Sequence, residues 1–208
     1  MLIKLQTLID KYNLKLKGVL HIGAHMCEEY EDYEKAGLNE TNIIWIEGNP
    51  NLANKIINLF KNRKILNACV SDKDNQEIDF YVANNGQSSS ILEFGTHSKH
   101  HPQVKFTQTL KIKTKTIKTL YEENNIPNNF ANFLNIDIQG AELLALKGMN
   151  NLLLNFDYIY LEVNEEEVYK GCGLIKEIDD YLETYKFKRV ETKITPYKWG
   201  DAFYIKEI

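Results

Sequence analysis

Apolar positions along the chain follow two alternating rhythms. Short, nearly continuous runs have the length and β-branched content of strands buried on both faces: VLHIG (19–23), NIIWIE (42–47), KILNACV (64–70), ANFLNID (131–137) and YIYLEV (158–163). Between them, apolar residues recur three and four apart, as on one face of a helix. Leu2, Leu5, Leu8, Ile9 and Tyr12 predict a helix over 2–13, and LIKEIDDYLETYKF (174–187) and AELLALKGMNNLLLNF (141–156) read as helical segments. A helix after the first strand should end at Ala36-Gly37, where glycine suits a C-terminal cap. Asn49 and Pro50 read as the N-cap and first turn of the helix that follows. Strands and helices alternating through short connections imply parallel pairing with right-handed crossovers. KRVETKI (188–194) and DAFYIKEI (201–208), joined by the turn-rich TPYKWG, can close the chain as a hairpin. The pattern predicts an α/β fold, with a doubly wound, mostly parallel seven-stranded sheet and a C-terminal antiparallel hairpin.

The middle of the chain lacks this regularity. EIDFYVAN (77–84) alternates apolar and polar residues as a half-exposed strand does, whereas NNGQSSS (84–90) and THSKHHP (96–102) read as loop. KIKTKTIK (111–118) reads as an edge strand with a solvated lysine face. Residues 1–208 are therefore taken as a single domain, with a helix within 1–17 and a loop-rich insertion at 84–108 placed to form part of an acceptor site.

Composition narrows the reading. The formal net charge of −4 argues against wrapping nucleic acid, which demands a positive surface. Three cysteines without CxxC spacing indicate neither a disulfide framework nor a zinc site. No run approaches the roughly 20 apolar residues of a membrane span. The N-terminal segment lacks the core of a signal peptide, and a cytoplasmic location is expected. The amphipathic first helix either covers the sheet or pairs with a partner, so a homodimer is left open.

In doubly wound sheets ligands bind beyond the carboxyl ends of the strands. Here those ends carry Gly23-Ala24-His25, Glu47-Gly48-Asn49, Ser71-Asp72, Asp137 to Gly140, and Glu162-Val163-Asn164. Gly23 would let the backbone approach a ligand, and Glu47 could accept both hydroxyls of a ribose. The run G-A-H-M-C lacks the glycines of a dinucleotide fingerprint, and Glu28, Glu29 and Glu31 would repel a phosphate. A cofactor with a ribose, no phosphate and a cationic centre fits better, and S-adenosyl-L-methionine has those features.

VLHIGAHMCEEYEDYEKAG, IIWIEGNPNL, VSDKDN, GQSSSIL, LNIDIQGAELLALKGM, LEVNEEEVYKGC and WGDAFYI occur in this order. Together they resemble the FkbM family of S-adenosylmethionine-dependent methyltransferases, over roughly residues 18–206. The resemblance implies the class I methyltransferase (Rossmann-like) fold and O-methylation of a hydroxyl of a sugar, in a glycan or glycosylated metabolite. It implies that Gly23 and Ala24 line the methionine part of the cofactor, with His21, His25, Gly48 and Ser71 beside it. Glu47 would hold the ribose, Asp72 the adenine, and Asp137 would face the transferred methyl group. The Ser88–Ser90 loop would close over the site. Gln139 stands where much of the family has glutamate.

Removing a proton from a sugar hydroxyl requires a base or a metal. Asp137 is the first candidate for the base and His101, in the histidine-rich loop, the second. Ser89, Ser90, His97, Glu162, Tyr169 and Trp199 are candidate acceptor contacts, the aromatic rings by stacking on a sugar. An alternative set of hard oxygen ligands, Asp137, Glu162 and Asn164, would suit Mg or Mn in an O-methyltransferase of a small natural-product hydroxyl. A non-catalytic accessory protein that only binds S-adenosylmethionine is the reading from another class.

Overall fold

The computed structural model describes residues 1–207. Ten strands are defined: β1 (Val19–Ile22), β2 (Ile43–Glu47), β3 (Lys64–Asn67), β4 (Cys69–Val70), β5 (Glu77–Ala83), β6 (Phe106–Lys115), β7 (Phe133–Ile136), β8 (Tyr158–Asn164), β9 (Phe187–Ile194) and β10 (Trp199–Lys206). The α-helices are α1 (Leu5–Tyr12), α2 (Tyr30–Lys35), α3 (Pro50–Leu59), α4 (His97–His100), α5 (Ile117–Glu123), α6 (Glu142–Met149) and α7 (Ile175–Glu183). No helix among the described residues is long and apolar enough to cross a membrane.

Seven strands form one sheet in the order β3-β2-β1-β7-β8-β10-β9. The pairings are parallel except those of β10, which runs antiparallel to both β8 and β9. The expected doubly wound sheet and closing hairpin are thus present, with the last strand inserted between β8 and β9. Alternation along each strand sorts the core into two layers. Leu20, Ile22, Ile44, Ile46, Leu134 and Ile136 pack toward α5, α6 and α7. Val19, Ile43, Trp45, Phe133, Tyr160 and Phe203 pack toward α1, α2 and α3. α1 therefore covers the sheet, through the buried Leu5 and Leu8.

Local signals placed the helix ends. Asn49 caps α3 by accepting from the Asn51 and Leu52 amides, and Pro50 opens its first turn. α2 ends in a Schellman motif: Leu38 N–H donates to Tyr33 O, Gly37 N–H donates to Glu34 O, and Gly37 has φ +87°.

Three expectations fail in the middle of the chain. The run 64–70 is two strands, because the chain leaves the main sheet after Asn67, whose side-chain amide donates to Glu47 O. Its second half, β4, joins a separate sheet of order β4-β6-β5. The lysine-rich run at 111–118 is consequently not an edge strand. β6 is central, paired with β5 along most of its length and with β4 at Thr114 and Lys115, though Lys111 and Lys113 do face solvent. Within the stretch read as loop, residues 97–100 form the single turn α4, and Phe106 already belongs to β6. The sequence reading also passed over α5, whose first turn is capped by Thr116.

Candidate active site

β1 and β7 are neighbours from which the chain winds in opposite directions, so their carboxyl ends diverge and leave a crevice. The small β4-β6-β5 sheet stands over it, and the result is a cleft of about 560 Å³. Phe80, Ala68, Cys69, Val70 and Ile138 form an apolar part of the lining, with Glu47 and Gly48 beside them. Asp137, Gln139, Glu162, His101 and Trp199 line it too.

The turn after β1 is built by hydrogen bonds to β2. The amides of both Gly23 and Ala24 donate to Ile46 O at 2.9 Å. Gly23 sits at φ +94°, and a Cβ there would fall 1.8 Å from the carbonyl oxygen of Asp137. Its need for glycine is thus already explained by the close approach of β7. His25 (φ +40°) donates its amide to Glu47 Oε2 at 2.9 Å, and Asn49 donates its amide to Glu47 Oε1 at 2.8 Å. Burial raises the Glu47 pKa, and the two amides partly offset this. Each oxygen keeps a further acceptor site, so the carboxylate is held in place without being exhausted.

At the end of β7 a neutral amide joins two acids. Gln139 (φ +57°) donates through Nε2 to Asp137 Oδ1 at 2.6 Å and to Glu162 Oε2 at 2.5 Å. Its Oε1 accepts from the Tyr169 hydroxyl at 2.6 Å. A glutamate at 139 would offer no N–H to either carboxylate. Asp137 is exposed, whereas Glu162 is buried and held well above the usual carboxylate range, first by desolvation and then by Asp137 and Glu142. Glu142 is buried beneath, accepting from the Ile138 and Gly140 amides at 3.0 and 3.1 Å. Burial pushes its pKa to about 7.

Other expected residues fall unevenly. His21 lines the cleft, but its ring belongs to a buried network: Nδ1 lies 2.9 Å from the Tyr33 hydroxyl, and burial lowers its pKa. Ala24 is fully buried, and Ser71 and Asp72 do not line the cleft. Ser71 instead presents its carbonyl to α6, where a Cβ on Gly148 would approach it to 2.2 Å. Ser89 and Ser90 line the cleft with their hydroxyls engaged, Ser89 to Gly86 O and Ser90 to Gln139 O at 2.8 Å. His97 lines it, stacked on Phe94 with ring centroids 4.3 Å apart. Burial, and then His101 and His100, lower its pKa to about 4. Of the hard oxygen set, Asp137 and Glu162 line the cleft but Asn164 does not. Among the described residues no three His, Cys, Asp or Glu side chains gather as a metal cluster.

The sequence reading missed the apolar wall, including Phe80, and the buried pair Tyr160 and Asp201, in which the Tyr160 hydroxyl donates to the aspartate. The alternation of EIDFYVAN was the signal for Phe80. WGDAFYI carried Asp201 in plain view.

A family model described as Methyltransferase FkbM domain matches residues 21–189. The 2-O-methyltransferase NoeI of Sinorhizobium fredii (strain NBRC 101917 / NGR234) is 24% identical over 130 residues, which are 59% of this chain and 52% of NoeI. The chain thus spans about half the length of that curated relative. Among solved structures, methyltransferase FkbM from Methylobacillus flagellatus KT is similar with a TM-score of 0.53 at 13% identity, over 91% of this chain and 43% of that one. A SAM-dependent methyltransferase from Aquifex aeolicus gives 0.52 at 13% identity, over 97% and 89%. Magnesium protoporphyrin IX methyltransferase (ChlM) from Synechocystis PCC 6803, with bound SAM, gives 0.51 at 8% identity, over 97% and 76%. These structural likenesses establish the class I methyltransferase fold.

Proposed function

Because the chain belongs to the FkbM methyltransferase domain family, we propose that it transfers a methyl group from S-adenosylmethionine to a hydroxyl oxygen of a sugar, in a glycan or glycosylated metabolite. The observation that carries this reading is the pairing of two acids on one cleft. Glu47 is held by backbone amides at the end of β2, and the exposed Asp137 stands at the end of β7. The donor set fits the cofactor. Glu47 would hold the ribose, the wall of Phe80, Cys69, Val70 and Ile138 would receive the adenine, and the Asp137 carboxylate would favour a sulfonium. The hydroxyl as acceptor follows the printed name of NoeI, and the sugar follows the family resemblance.

When bound, S-adenosylmethionine supplies an electrophilic methyl group. The chain has three tasks: to align the acceptor, to exclude water and to take the hydroxyl proton. Asp137 takes that proton, with Gln139 Nε2 fixing the direction of its carboxylate. His101, across the same cleft, is the second candidate. Glu162, which burial holds toward its neutral form, shares the Gln139 amide with Asp137.

Calorimetric titration with S-adenosylmethionine tests the reading. Glu47→Gln, which keeps the shape but gives up one acceptor and the charge, should weaken binding roughly 10- to 100-fold, or about 1.5–3 kcal/mol. Asp137→Asn should abolish methyl transfer while binding persists. Undetectable binding to the unmodified chain would sink the proposal.

A further inference from the structure

The cleft is unusual in which charges it lacks. Its lining among the described residues contains six carboxylate residues, Glu28, Glu29, Glu47, Asp137, Glu162 and Asp201, and no lysine or arginine. Of the three lysines that adjoin lining residues in the chain, Lys170 pairs with Glu93 at 2.6 Å, Lys198 pairs with Glu165 at 3.1 Å, and Lys105, beside Val104, is exposed and does not line the cleft. His97 is kept neutral by its burial.

Backbone amides are the other means of holding an anion. At this cleft the chain's own acids occupy several of them. Glu47 accepts from the amides of His25 and Asn49, and Glu28 from that of Met26 at 3.0 Å. Glu142 accepts from the amides of Ile138 and Gly140, beside the start of α6. The start of α3 is closed by the Asn49 side chain. In doubly wound folds that bind nucleotides the phosphate sits at such strand ends, and here amides after β1, β2 and β7 are already engaged by acids.

Resting on the methyltransferase reading, we propose that the acceptor is uncharged or cationic around its reacting hydroxyl. Phosphorylated sugars, nucleotide sugars and uronates are rejected by the cleft. Glu162 is pushed up first by burial and then by Asp137 and Glu142, so the acids of the site also oppose one another's charge. An incoming phosphate or carboxylate meets the same opposition with no lysine or arginine to offset it, and the amino group of Met1 and the His25 ring, which also line the cleft, are already engaged by Glu29 at 3.8 Å and Glu28 at 2.6 Å. The methionine carboxylate of S-adenosylmethionine is a different case, because it carries its own ammonium and the molecule has a net positive charge.

Two measurements on the full chain decide the matter. The first titrates inorganic pyrophosphate and UDP into the protein, alone and in competition with S-adenosylhomocysteine. No binding at millimolar concentration and an unchanged affinity for S-adenosylhomocysteine are expected. Binding of either anion below millimolar, or displacement of S-adenosylhomocysteine, overturns the proposal. The second follows labelled methyl transfer from S-adenosylmethionine onto neutral methyl glycosides and their matched uronates and 6-phosphates. The anionic member of each active pair should react about tenfold more slowly or worse; equal or faster reaction overturns the proposal. If no sugar reacts, the first measurement decides alone. Absence of S-adenosylhomocysteine binding together with absence of pyrophosphate binding would defeat the methyltransferase reading and leave the anion-rejecting cleft standing.

Discussion

Gly23 and Gly37 are alike in one respect: each has a strongly positive φ, +94° and +87°. Their surroundings separate them. A Cβ on Gly23 would collide with Asp137 O, while one on Gly37 would meet nothing within 4 Å. Gly37→Ala should therefore cost only the left-handed backbone penalty, about 1 kcal/mol. Gly23→Ala should cost about 3 kcal/mol or more, because β1 and β7 cannot part without breaking the sheet. Urea unfolding of the two variants checks this, and equal costs would refute it. The same contrast applies to Gln139. Its place in DIQG was visible, but its use as a bridge between Asp137 and Glu162 depends on β7 and β8 lying side by side.

Among the elements, the segment after β5 depends most on contacts from elsewhere. Ser90 pairs with Tyr81 through both backbone bonds, and its hydroxyl donates to Gln139 O while accepting from the Leu92 amide at 3.0 Å. One side chain thus ties the 84–90 loop to the end of β7. Ser90→Ala removes a donor and an acceptor there and should cost about 1–2 kcal/mol. Amide hydrogen exchange should rise at Tyr81 and Leu92 and stay unchanged across β1 and β2. A uniform rise over the whole chain would show that the tie is not local. The sequence marked this region as irregular correctly, because its composition is that of loop. The tie itself was not legible, since it joins residues 49 positions apart.

At the scale of the molecule, buried titratable groups pull stability in opposite directions with pH. Glu142 is raised from 4.5 to about 7 by burial, so the folded chain keeps a proton that the unfolded chain releases. Stability from this group falls as pH rises across that window. Glu47, Glu162 and Asp201, also raised by burial, act in the same sense. His97 is lowered from 6.5 to about 4, so the folded chain refuses a proton that the unfolded chain takes, and its contribution is lost as pH falls across that window. Glu142→Gln should make the decline of thermal stability between pH 5 and pH 7 shallower than in the unmodified chain, and His97→Gln should make it steeper. Melting temperatures across that range test both signs, and an unchanged slope in Glu142→Gln would show that its proton is not linked to folding.

By itself the sequence determined the alternation of strands and helices, the caps at Asn49-Pro50 and Gly37, and the gathering of polar residues at strand ends. Each of these arises from periodicity or backbone preference within a short window, which the chain carries wherever it folds. Only the tertiary structure decided where KILNACV divides, that β6 is central, and that Ser71 and Asp72 lie off the cleft. Those outcomes depend on which distant backbone groups complete the hydrogen bonds left open by each strand. The charge of the cleft belongs to the same class. A net charge of −4 says nothing of where lysines fall; only the folded chain brings six acids to one cleft and leaves every lysine and arginine outside its described lining.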